Sequence, residues 1–95
     1  MDRKIQIVQD IDRVELFGNL DVNLDLIKEA TGVDIYQRED ELILKADETL
    51  PEEEQEVALN LAQKIIDEFV AILGSGEGLG KQKASYVIGL NKEGL

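Results

Sequence analysis

The run Ser75-Gly76-Glu77-Gly78-Leu79-Gly80-Lys81-Gln82 comes within one substitution at each end of the phosphate-cradling pattern G-x-x-x-x-G-K-[ST]. In that pattern the first glycine allows the tight loop, the lysine reaches the terminal phosphates and the last hydroxyl binds magnesium. Serine and glutamine occupy the two ends here, and the preceding residues read as a long helix where the pattern needs a strand. With four glycines between Gly74 and Gly80, a flexible linker is the expected reading, with no ATP binding at this loop. Glu52, Glu53, Glu54 and Glu56, with Asp47 and Glu48 nearby, offer oxygen ligands for calcium or magnesium, but the spacing of a calcium loop is missing. These acids fit a solvated helix start, where the helix dipole favours anions. Paired carboxylates for sugar hydrolysis need a cleft and aromatic platforms, and the chain's aromatics are only Phe17, Tyr36, Phe69 and Tyr86. Phe17 and Tyr36 fall on expected strands, where exposed rings can stack bases. Their charged neighbours argue for packing instead, since Arg13 and Arg38 are offset by Glu15, Asp34, Glu39 and Asp40.

Much chemistry is excluded outright. The chain has neither cysteine nor histidine, so disulfides, thiolate or imidazole metal sites and imidazole bases are absent. Its 21 acidic and 10 basic side chains give a net charge of −11, a field that repels phosphate backbones and anionic lipid. Ninety-five residues with 43% apolar side chains make one domain with one modest core. No apolar run is long enough to span a membrane, and Met1-Asp2-Arg3-Lys4-Ile5 lacks the apolar stretch of a signal peptide. A cytoplasmic protein with no membrane contact is expected.

The elements that would position these residues follow from periodicity. Ile5 and Ile7, then Val14 and Leu16, alternate as in strands buried on one face; Gln9–Asp12 between them makes either a turn or a bend in one strand. Gly18 stops this segment, and Asn19 or Asp21 caps a helix whose stripe is Leu20, Leu24, Ile27 and Ala30, stopped by Gly32. Val33 and Ile35, then Leu42, Leu44 and Ala46, form a hairpin around Gln37–Asp40. Thr49-Leu50-Pro51-Glu52 matches a capping box. Beyond it Ala58, Leu61, Ala62, Ile65, Phe69, Ile72 and Leu73 keep one helix face apolar until Gly74. After the glycines, Ala84–Ile88 reads as a last strand or a short helix.

Expected, then, is an α+β fold: a small sheet of three to four strands near residues 4–8, 13–18, 33–38 and 41–47, packed by helices near 20–31 and 50–73. Leu24, Ile27, Ile35, Leu44, Leu61, Ile65 and Phe69 should centre its core. Residues 1–74 form the domain and residues 75–95 a glycine-rich linker and tail.

Leu16, Gly18, Asp21, Asn23, Leu24, Ile27, Gly32, Val33, Ile35, Arg38, Glu41 and Leu42 resemble the N-terminal region of the PhoH family, with its strand ending in glycine, D-x-N-L-x-x-I helix, G-V-x-I and hairpin. Tyr86, Val87, Ile88 and Asn91-Lys92-Glu93-Gly94 resemble, less specifically, the segment leading into that family's ATPase domain. Arg38-Glu39-Asp40 departs from the family's Arg-Gly-Asn turn. The element order is also similar to that of RNA-binding KH domains, but Gly18-Asn19-Leu20-Asp21 puts an acid where their G-x-x-G loop needs its second glycine.

The resemblance implies a non-catalytic accessory domain, KH-like in fold, of an ATP-binding protein linked to phosphate starvation and RNA metabolism. The full-length protein would be a P-loop ATPase, with ATP and magnesium held by a domain outside this chain, which is either an excised N-terminal domain or a natural truncation. Expected partners are that ATPase domain and, through the full-length protein, RNA. No catalytic, cofactor or metal residue is assigned here. The first 46 residues hold 6 basic against 11 acidic side chains, so any RNA or partner contact is expected to be weak and to fall to Lys81, Lys83 and Tyr86. The alternative reading is a stand-alone acidic adaptor that binds a basic protein surface through Glu52, Glu53, Glu54 and Glu56.

Overall fold

A computed structural model describes residues 1–6, 22–38 and 41–93. In chain order these form strand β1 (Asp2–Gln6), helix α1 (Val22–Thr31), strands β2 (Asp34–Arg38) and β3 (Glu41–Lys45), the long helix α2 (Glu52–Gly74) and helix α3 (Lys81–Glu93). The class is α+β, as the alternating and helical periodicities require. The strand expected near 13–18, the turn at 9–12, the stop at Gly18 and its caps, Glu39, Asp40 and Gly94 lie outside the described residues.

The strands make one antiparallel sheet in the order β1-β3-β2. Alternation puts Leu42 and Leu44 of β3 into the core, and the register sets Ile5 beside Leu42 and Ile35 beside Leu44. Helices cover this face. Arg3, on the same side of β1, donates from Nη1 to Asn60 Oδ1 (2.7 Å) and Gln63 Oε1 (2.9 Å), tying the edge strand to α2.

α1 ends as its sequence dictates. Gly32 takes φ 75°, a conformation open to glycine without a Cβ penalty, and its N–H donates to Lys28 O at 2.7 Å. The Thr31 hydroxyl donates to Ile27 O (2.7 Å) and accepts from Val33 N (3.2 Å), turning the chain into β2. Lys28 Nζ lies 2.7 Å from Asp34 Oδ1, and this hydrogen bond, with the charge behind it, raises the lysine above its ordinary pKa.

Two expectations are corrected. The capping box does not form: Thr49 donates from both N (3.0 Å) and Oγ1 (2.6 Å) to Asp47 Oδ1, leaving Pro51 as an N-cap without a side-chain bond. The helix starts at Glu52, so Thr49 lies two residues before the N-cap, and its bonds to Asp47 hold that carboxyl below its usual pKa. Gly74 ends α2 as expected, and Gly76 beyond it takes the left-handed conformation, with φ 88°. Most consequential, the segment read as a last strand or a short helix is a helix of 13 residues, Lys81–Glu93, and it packs on the body. Ala84, Val87 and Ile88, with Leu79 from the glycine-rich segment, join the cluster that holds Ile65 and Phe69. Ala84, Val87, Ile88 and Asn91 recur at i, i+3, i+4 and i+7, one face of a helix.

Of the expected core, Ile27, Leu44, Ile65 and Phe69 are buried, while Leu24, Ile35 and Leu61 are half-buried against it; Leu42, Leu59 and Ile66 complete the centre. Phe69 is fully enclosed, so Phe69→Ala should destabilise the fold by about 3–5 kcal/mol. Urea unfolding checks this, and a loss below about 1 kcal/mol would be inconsistent with a buried core position.

Candidate functional site

Lys81, Lys83 and Tyr86 all lie on α3, at its N-terminal end and middle. A helix turns about 100° per residue, so Lys83 and Tyr86, three apart, share a face while Lys81 points away from both. Two of the three are therefore brought together. Lys83 is already engaged, its Nζ 2.9 Å from Glu77 Oε2. Tyr86 is 67% exposed, and Leu90, one turn on, is 51% exposed, so the outer face of α3 is apolar more than basic.

The phosphate-cradle likeness leads nowhere in three dimensions. The glycine-rich segment follows helix α2, Leu79 within it is buried, and Ala84 N donates to Gly80 O (2.9 Å) as α3 begins. Glu77 stands within the run, a charge that opposes an incoming phosphate.

Tyr36 sits half-exposed on the sheet face turned away from the helices, with Lys45 Nζ 5.8 Å from its ring centroid. Pairing and alternation give this face Asp2, Asp34 and Glu41 against Lys4, Arg38 and Lys45, so its charges cancel. Such a face lacks the positive field that single-strand binding demands. Phe17 lies outside the described residues.

Two buried polar residues to which the sequence reading gave no structural role hold elements together. Asn91, buried on α3, donates from Nδ2 to Glu68 Oε2 (2.6 Å) on α2 and to Val87 O (2.9 Å). Gln55, buried near the start of α2, donates to Leu50 O (2.8 Å) and accepts from the Met1 amino group (3.1 Å). Asn91 was detectable as the i+7 member of the α3 stripe; nothing local marked Gln55.

The acids Glu52, Glu53 and Glu54 occupy the exposed first turn of α2. Among the described residues no group of three acidic side chains is placed to hold a metal ion. Glu53 and Glu54 instead edge a cavity of about 410 Å³ between α1 and α2, whose walls are Ala30, Thr31, Val57, Ala58 and Leu61. A second opening of about 400 Å³ lies between α1 and α3, where Leu26, Ala30, Ile88 and Gly89 meet the polar Glu29, Ser85 and Lys92. Among the described residues, no helix is long and apolar enough to cross a membrane.

Comparison with models of protein families, with curated proteins and with solved structures found no match for this chain.

The Asn91–Glu68 contact yields a test of the α2–α3 junction. Asn91→Asp would replace a donor with a carboxylate facing Glu68, and should cost about 1–3 kcal/mol at neutral pH. The cost should shrink as acid protonates the pair, which thermal melts at neutral and acidic pH would show.

Proposed function

We propose that the chain is a non-catalytic accessory domain of a P-loop ATP-binding protein of the PhoH type, positioning that enzyme or its RNA partner. The reading is carried by what the resembling residues do. Asn23, Ile27, Val33 and Leu42 are buried, Leu24 and Ile35 pack against the core, and Gly32 supplies the one left-handed turn between α1 and β2. A signature spent on folding is what a positioning module requires, whereas a catalytic signature would put polar groups into a cleft. In this reading ATP and magnesium belong to the partner ATPase domain, and RNA contact is shared with it.

The coding sequence after Leu95 tests the covalent relationship: an in-frame phosphate-binding loop preceded by a strand is expected, and an immediate stop codon would overturn that relationship. On the chain itself, calorimetric titration with magnesium-ATP should show no binding. A micromolar dissociation constant lost on Lys81→Ala would restore the glycine-rich segment as a nucleotide site.

For RNA the expected outcome is weak binding at low salt, since Lys83 is paired with Glu77 and the open sheet face is balanced in charge. Filter binding of single-stranded RNA checks it. Submicromolar affinity that disappears in the Lys81→Ala, Lys83→Ala double variant would reverse the conclusion.

A further inference from the structure

We infer that the groove between α1 and α2 is a docking site for a basic, amphipathic helical segment of a partner protein. Two features of its lining point to that occupant. The walls are apolar or small, and their one hydroxyl is satisfied: Thr31 Oγ1 donates to Ile27 O and accepts from Val33 N. A ligand there gains by burying apolar side chains and finds no unpaired hydroxyl to satisfy. Val57, at 55% exposure, is a large apolar side chain left in water on this wall.

The second feature is charge. Glu53 and Glu54 edge the groove at the start of α2, and neither makes an ion pair among the described residues. On α2, Glu53, Val57 and Leu61 are spaced four apart, with Glu54 and Ala58 beside them, so the acids and the apolar wall run along one helix face. Among the described residues no cation lines the groove. The complementary ligand therefore presents apolar side chains at helical spacing, flanked by Lys or Arg, which is the helix-in-groove mode of recognition. A second copy of this chain is a poor occupant, because each carries a net charge of −11 and the two surfaces would repel. None of the described residues that line the groove is on α3, and the inference does not depend on the ATPase relationship.

The test uses the whole chain, labelled for amide NMR and titrated with a synthetic amphipathic peptide of about 16 residues, leucines on one helical face and lysines elsewhere. A control peptide replaces every lysine with glutamate. Expected are shifts centred on the amides of Ala30, Thr31, Val57 and Ala58 with the lysine peptide alone. Affinity should weaken about three- to tenfold in the Glu53→Gln, Glu54→Gln double variant, as loss of two exposed charge contacts implies. Val57→Ser should weaken it further, and both variants should keep the wild-type spectrum elsewhere because all three side chains are exposed. The inference is overturned by absence of shifts at these amides, by equal binding of the glutamate peptide, or by shifts centred on Tyr86 and Leu90. Sedimentation that shows a dimer abolished by Val57→Ser would give the groove to a second copy and overturn it equally.

Discussion

The structure depends on burying one face of α2. Leu59, Ala62, Ile65, Ile66 and Phe69 leave that helix along a single stripe, and β1, β3, α1 and α3 all pack against it. A chain of this size removes only about 60–65% of its extended-chain surface from water, so a core built on one helix face needs every available element to close it. That constraint explains why the segment after the glycines cannot be left as a solvated tail. Without Leu79, Ala84, Val87 and Ile88, part of the α2 stripe would face water.

Polar contacts then fix how the pieces meet. Arg3 on β1 and Asn91 on α3 each reach side chains of α2, at Asn60 with Gln63 and at Glu68. Apolar burial is indifferent to small rotations, whereas hydrogen bonds to defined atoms are not, so these contacts select one docking angle among several that would bury similar area. They also occupy charged groups that would otherwise be candidates for ligand binding. Lys28 with Asp34 and Lys83 with Glu77 do the same at the surface. Among the described residues Arg3, Lys28 and Lys83 are thus committed, while the carboxylates of Glu53 and Glu54 stand beside an apolar wall.

What could be read from the sequence follows from the range of each signal. Period-2 alternation at Val33–Ala46 and the long stripe of α2 are local and redundant, and both elements appear where that pattern places them. Gly32 was legible because a left-handed stop needs a residue without a Cβ. The capping box failed because α2 starts at Glu52, two residues later than the box requires, with Thr49 bonded to Asp47 in the preceding turn. The α3 stripe was hidden by its surroundings: four glycines suggest a linker, and Gly89 interrupts the helical composition. Its i, i+3, i+4, i+7 spacing from Ala84 to Asn91 was the signal that composition outweighed. The groove between α1 and α2 was not legible at all, since it joins residues from 30 to 61 and exists only once the two helices are packed.

The burial of α3 also sets the timing of folding during synthesis. β1 is made first, but its partner β3 follows some 35 residues later, as the pairing of Gln6 with Glu41 shows. The last layer of the core, from Leu79 to Asn91, leaves the ribosome after everything it covers. A growing chain therefore carries an exposed flank of α2 until α3 emerges. Local order in the β2–β3 hairpin and in α2 can form earlier, yet the cooperative transition must wait for the C-terminal residues. Over that interval the nascent chain exposes apolar surface of α2, and its acidic side chains repel other copies of the chain.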